Sequence, residues 1–272
     1  MRVHVHSIIR NEEKMLPYFL RHYEAFCEKI FLRIQPSTDK TLEIAKAHPK
    51  VTIIKYKTEF GGGSNSYNIM DMQEVRNNDW KKYSTSENCD WVIIADCDEF
   101  LYHPNILKIL QNYKNRGITF PKIDGYQMFS DDQPTTSGQI YYEIKTGCLF
   151  KEYSKRAIMH PSISPNYSPG NHQCFPKGNV VESNFADIKL LHYSKILFKK
   201  EEYIKYWKDK LKRNSGSYTE KNKFNETPYL KLQYDDYVLD SLYHIYITTL
   251  KNFMKFAKTG KVDDKQGYYE VI

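Results

Sequence analysis

The stretch of this chain best equipped for chemistry is Val92-Ile93-Ile94-Ala95-Asp96-Cys97-Asp98-Glu99-Phe100. An apolar run suited to a strand buried on both faces ends directly in charge. In extended backbone Asp96 and Asp98 point to one side and Cys97 to the other. Two carboxylates so close repel each other unless a cation sits between them. Hard divalent ions, Mg²⁺ above all, take oxygen ligands and commonly join carboxylates to substrate phosphates. The pair therefore predicts a metal-bound nucleoside diphosphate, and an acidic turn after a strand, helped by Pro104, is the competing reading.

The elements that must position these residues follow from hydrophobic spacing. Residues 3–9 (VHVHSII) read as a strand. Asn11 is placed to cap a helix, with Glu12 and Glu13 at its positive end. Met15, Leu16, Phe19, Leu20, Tyr23 and Phe26 recur at helical spacing, and residues 29–34 form a second strand. A turn at residues 35–41, a helix over TLEIAKAH and a strand at residues 51–56 continue the alternation. A helix between Tyr67 and Tyr83 leads to the most apolar strand, residues 90–95. This order predicts an α/β fold with a mostly parallel central sheet flanked by helices. A helix is expected at residues 103–114. Beyond it lie β segments at residues 118–129, 139–150, 156–162, 180–184 and 188–194, among them the strand after which His192 falls. The Pro, Gly and Asn-rich stretch before residue 180 reads as a long functional loop. From Lys199 the chain turns charged and helical. Residues 1–198 are thus the expected catalytic domain and 199–272 a helical region packing on it, with a dimer or a peripheral membrane contact as the alternative use of its apolar faces.

Four segments in order, SIIRNEEKMLPYFLRHY, PSTDKT, DWVIIADCDEF and LLHYSK, give the chain a resemblance to glycosyltransferases of the GT-A fold, especially family-2-like and family-92-like members. The resemblance covers roughly residues 3–200. It implies transfer of a sugar from a nucleoside-diphosphate sugar, UDP or GDP, to a hydroxyl of a glycan or glycoconjugate, with inversion and with Mn²⁺ or Mg²⁺. It places Ile9, Arg10, Asn11 and Glu12 at the nucleotide pocket, Asp39 near the base and Asp96 at the donor, although Lys40 stands where the family has glycine. It makes Asp96 and Asp98 metal ligands and His192 the third, a role suited to neutral imidazole; His172 is the second choice. The general base would come from Asp131 or Asp132, with Glu99 as the alternative, and Lys155 and Arg156 would answer leaving-group charge. Each also has a plainer reading as a cap, a solvated turn or a core histidine.

Composition narrows the classes. The chain has 272 residues, of which 40% are hydrophobic, with 23 Tyr and 14 Phe, and this is enough for a large core. No apolar run is long enough to cross a bilayer, and the N-terminus reads as a first strand, so a cytoplasmic protein is expected. Five scattered cysteines without a C-x-x-C pair argue against a disulfide framework or zinc knuckle and suit reduced thiols. The formal charge of +7 favours an anionic partner. Two other functions compete. A nucleotidyltransferase forming nucleotide sugars needs a glycine-rich loop after its first strand, and SIIRNEEK has no glycine. A nucleic-acid-binding protein would show a recognition motif, and none is present.

Overall fold

The computed structural model describes residues 1–54, 69–128, 130, 133–135, 138–149, 153–168, 173–194 and 268–270. Two five-stranded sheets meet along a seam. The first has the order β3-β2-β1-β4-β8, where β1 is Val3–Ile9, β2 Lys29–Ile34, β3 Val51–Ile54, β4 Trp91–Ile94 and β8 Ile158–Met159. Its first four strands are parallel and β8 runs antiparallel. The second has the order β10-β7-β6-β9-β5, with β5 Glu99–Tyr102, β6 Ile123–Met128, β7 Thr146–Leu149, β9 Ile188–His192 and β10 Tyr268–Glu270. Only β6 and β9 are parallel in it. The α/β expectation holds, and the mostly parallel character belongs to the first sheet.

Helix α1 (Leu16–Glu24) buries Leu16, Phe19, Leu20 and Tyr23 against a core that runs continuously under both sheets, through Val3, Val5 and Ile9 to Phe100, Leu101 and Leu190. A second cluster, with Trp80, Val92, Ile94, Phe120, Met159 and Tyr167, covers the opposite face of the first sheet. Helices α2 (Thr41–Ala47) and α3 (Ile69–Asn77) follow, and α4 (Ile106–Asn115) ends in a Schellman turn. There Ile118 N–H reaches the Tyr113 carbonyl at 2.9 Å and Gly117, at φ +68°, takes the left-handed position. Among the described residues no helix is long and apolar enough to cross a membrane.

Several local expectations need correction. Asn11 does not cap α1: it sits at φ +52°, and its Oδ1 accepts the Thr38 N–H at 2.8 Å, tying the loop after β1 to the loop after β2. The first turn of α1 accordingly holds no acidic residue. Residues 139–150 divide into the short helix α5 (Ile140–Glu143) and β7, because Ile140 and Ile144 anchor one helical turn in the core. Residues 180–184 form no strand, and β5 was not expected at all. The glycine triplet loop and the C-terminal helical region lie outside the described residues, apart from β10. Cys27, Cys89 and Cys97 are buried free thiols and Cys174 is a half-buried one.

Alternation along β1 turns His4 and His6 away from the main core into a polar chain. Arg33, 1% exposed, donates through Nη1 to His6 Nδ1 at 3.3 Å and holds Asp79 at 2.7 Å. Arginine only donates, so His6 carries its hydrogen on Nε2 and donates it to Ser84 Oγ at 2.8 Å. The Ser84 hydroxyl then donates to His4 Nδ1, also at 2.8 Å. Elsewhere His22 Nε2 donates to the Leu101 carbonyl at 3.0 Å. Burial, then the Arg33 and His4 charges, hold His6 far below the ordinary histidine range. Burial lowers His4 as well, and takes His22 down to about 3.

These histidines stay neutral when folded, whereas in the unfolded chain each takes up a proton near pH 6.5. Between that pH and the lowered folded value the unfolded state binds more protons, so stability falls as pH drops below about 6.5. The slope is about 1.4 kcal/mol per pH unit for each histidine. Urea unfolding at pH 8, 6 and 5 should show this loss, and His22→Gln should remove about one proton from the uptake.

Candidate functional site

Strand order places the site before any side chain is considered. From β1 the chain winds outward to β2 and β3, then returns to the other side of β1 as β4. The β1/β4 boundary is a topological switch point, and a crevice opens there beyond the carboxyl ends of the strands. A small cleft in this crevice is lined by Ser7, Ile8, Arg33, Val75, Arg76 and Ala95, among others. Residues 95–98 cross from β4 in the first sheet to β5 in the second, so the acidic run is the seam itself.

The carboxylates part in two directions, against the expectation that Asp96 and Asp98 share a side, because residues 97 and 98 form a turn rather than extended backbone. Asp96 Oδ1 pairs with Arg76, in the last turn of α3, and its Oδ2 lies 3.5 Å from Lys155 Nζ. Glu99, 1% exposed, commits both oxygens: Oε1 to Lys155 Nζ at 2.5 Å and Oε2 to the Asp96 N–H at 3.0 Å. Burial of Asp96 works against its charge, but Arg76, then Lys155 and His192, hold its carboxyl well below the usual range. Burial also works against the charge of Lys155, and Glu99 and Asp96 raise it above the ordinary lysine range.

Asp98 turns the other way, toward His192, with Oδ2 and Nε2 3.6 Å apart. His192 is held from its far side, where Nδ1 and Gln127 Oε1 are 2.8 Å apart across the β6/β9 pairing. The Gln127 amide is oriented by its own Nε2, which donates to the Met128 carbonyl at 3.0 Å. An amide oxygen only accepts, so Nδ1 carries the hydrogen, and in the neutral form of the ring it is the Nε2 lone pair that faces the carboxylate. Two electron-rich atoms facing each other fit a shared cation, and histidine ligands are commonly oriented in this way from behind. Among the described residues no three His, Cys, Asp or Glu side chains already converge on one point.

The supports come from distant segments. The Tyr153 ring lies against His192, with centroids 3.9 Å apart and the planes tilted by 35°. Residues 153–155 lie directly over β6, where Gly125 N–H donates to Ser154 Oγ at 3.0 Å and a methyl on Gly125 would collide with the Tyr153 and Ser154 backbone. Helix α3 is fixed by Gln73 and Asn77, which donate to the Tyr167 carbonyl at 2.7 and 3.3 Å. Arg76 and Gln127 carry no signal in the sequence. An arginine late in a helix reads as a complement to the helix dipole, and a glutamine in a strand reads as an outward face.

Other expected site residues fall elsewhere. Ile9 is a core residue whose carbonyl accepts the Gln35 N–H at 3.0 Å. The backbone of Asn11 and Glu12 is bound by Ser37 Oγ and Thr41 Oγ1 at 3.1 and 2.7 Å, which leaves Arg10 at the start of this zipped pair of loops. Asp39 accepts from the Glu13 and Thr41 N–H groups at 3.1 and 3.0 Å, so it locks the turn. Arg156 pairs with Glu182 and lies over the Phe120 ring, apart from Asp96. Asp131, Asp132 and His172 lie outside the described residues.

No protein-family model and no curated protein matches the chain. Among solved structures, it is similar to S. aureus TarS residues 1–349 in complex with UDP, at 12% identity, covering 78% of this chain and 65% of that one, with a TM-score of 0.44. Mannosyl-3-phosphoglycerate synthase from Rubrobacter xylanophilus matches at 14% identity over 50% of this chain and 43% of its own, with a TM-score of 0.33. Glucosyl-3-phosphoglycerate synthase from Mycobacterium tuberculosis, in complex with Mn²⁺, UDP and glucosyl-3-phosphoglycerate, matches at 17% identity over 46% of this chain and 44% of its own, with a TM-score of 0.30. The chain spans less than two thirds of the length of each.

The crossing at Gly125 gives a test against a second glycine. Gly125→Ala should cost about 3 kcal/mol through overpacking. Gly117→Ala, with open space around its added methyl but a left-handed backbone, should cost about 1 kcal/mol. Denaturant unfolding of the two variants checks the order.

Proposed function

We propose that the chain is a metal-dependent glycosyltransferase that moves a sugar from a nucleoside-diphosphate sugar to a hydroxyl of a glycan or glycoconjugate. The observation that carries this reading is the pairing of Asp98 with His192 Nε2 at a strand-end switch point, beside two cations on Asp96. Asp98, His192 and Asp96 would hold Mn²⁺ or Mg²⁺. A divalent ion there supplies Lewis-acid stabilisation of the departing diphosphate.

In this reading the chain's own residues divide the work. Arg76 and Lys155 bind phosphate oxygens, two fixed cations in a partly desolvated crevice where charge is worth more than in water. Glu99 holds Lys155 in place and fixes the Asp96 backbone. Its two committed oxygens suit a positioning residue better than a base. Deprotonation of the acceptor hydroxyl falls to Asp131 or Asp132, which follow β6 directly. That strand ends at Met128, beside the Gln127 that orients His192. Transfer is proposed to invert the anomeric centre, with the hydroxyl attacking opposite the departing diphosphate.

Thermal-shift measurements with UDP and GDP and their sugars, in Mn²⁺, Mg²⁺ or EDTA, test the donor. Specific binding should raise the melting temperature, and EDTA should abolish the rise. Asp98→Asn should fold normally and lose transfer by on the order of 3 kcal/mol in transition-state stabilisation. His192→Ala should weaken the Mn²⁺ dependence. Retention of full transfer by Asp98→Asn would remove the metal site from the mechanism.

A further inference from the structure

The first aspartate of the site is occupied by the protein's own cations. Asp96 offers one oxygen to Arg76 and the other faces Lys155, while Lys155 is itself fixed by buried Glu99. Around the crossing, Asp96 and Glu99 face Arg76 and Lys155, two carboxylates against two cations, while Asp98 turns toward His192. A free divalent cation approaching Asp96 must therefore displace or sit against fixed positive charge, and like charges at such distances disfavour one another. A nucleoside diphosphate reverses the account, because its phosphates give the same arginine and lysine an alternative partner. Arg76 is suited to such an exchange. It lies on α3 whereas Asp96 lies on the strand crossing, and its planar fork matches carboxylate and phosphate oxygens alike. Lys155 has less freedom, since Glu99 would be left buried and unpaired.

We propose that Arg76 is a counter-ion latch on Asp96 that makes divalent-cation binding conditional on a bound diphosphate. In the free protein Arg76 neutralises Asp96 and keeps the metal out. With the diphosphate present, Arg76 passes to the phosphate oxygens and Asp96 is released to the cation. The latch deepens the transferase reading and rests on it. It assigns Arg76 two partners in sequence and sets an order of events, anion before or together with metal. No bond is made or broken in the exchange.

The test is calorimetric titration of Mn²⁺ into the wild-type chain, Arg76→Gln and Arg76→Lys, each alone and with saturating UDP or GDP. Without nucleotide, Arg76→Gln should bind Mn²⁺ about tenfold tighter than wild type, a coupling of ordinary size, while Arg76→Lys, which keeps the charge, stays weak. With nucleotide the order reverses, and Arg76→Gln binds the diphosphate more weakly than wild type. Melting curves in EDTA establish that each variant is folded before its titration is read. Unchanged Mn²⁺ affinity in folded Arg76→Gln without nucleotide overturns the latch, even if UDP or GDP still binds with metal and the transferase reading stands. Failure of both nucleotides to bind any variant, with or without Mn²⁺, instead overturns the transferase reading and the latch with it.

Discussion

Three carboxylates within four residues, Asp96, Asp98 and Glu99, are the constraint on which the rest of the molecule depends. They stand where one sheet hands the chain to the other, too close together to be left to themselves, with Glu99 buried and the two aspartates partly so. Each meets a different solution. Glu99 is buried against Lys155 and a backbone N–H, Asp96 is bracketed by Arg76 and Lys155, and Asp98 is turned toward His192. Lys155 comes from the segment after β7 and Arg76 from the end of a helix, so the cluster exists only when distant segments have docked. Residues 153–155 can dock because Gly125 offers no side chain where they cross β6.

The two-sheet architecture is the geometric counterpart of that electrostatic demand. A wholly parallel sheet would carry β4 straight into a helix and leave its acidic end beside the solvent. Here β4 passes after four residues into β5, which pairs with β9 so that Glu99 stands opposite His192. The histidine thereby lies next to the aspartate that precedes its register partner. The Tyr193 N–H, donating to the Asp98 carbonyl at 2.9 Å, extends the same pairing one step into the crossing. The position of His192 beside Asp98 is thus set by hydrogen-bonded strand register.

Much of the first sheet was legible in the sequence, for a physical reason. Its strands are continuous β-branched runs separated by amphipathic helices, so period and length both speak, and residues 3–9 and 29–34 are strands to the residue. The place of the acidic run, directly after a buried strand, was legible too. The second sheet was not. Its strand β5 is only Glu99-Phe100-Leu101-Tyr102, where the acidic residue masks the alternation, and α5 exists because Ile140 and Ile144 are drawn into the core. Asp39 and Asn11 show the opposite failure. Both are polar residues at strand ends with an evident use in binding, and both are consumed in tying two loops together.

His192 shows what the sequence alone cannot supply. His4, His6 and His22 are as deeply buried, and each sits in an element as apolar as the strand that carries His192. What separates them is the direction of their hydrogens. The chain running from Arg33 through His6 and Ser84 to His4 points donors inward, and His22 gives its hydrogen to a carbonyl, so these three imidazoles serve the fold. At His192 the order is reversed. The Met128 carbonyl orients Gln127, Gln127 takes the hydrogen of Nδ1, and the lone pair that remains faces Asp98. Facing a carboxylate, Nε2 needs a positive charge between the two atoms, a proton or a metal ion, and this is why the metal proposal attaches to this histidine rather than to the other three.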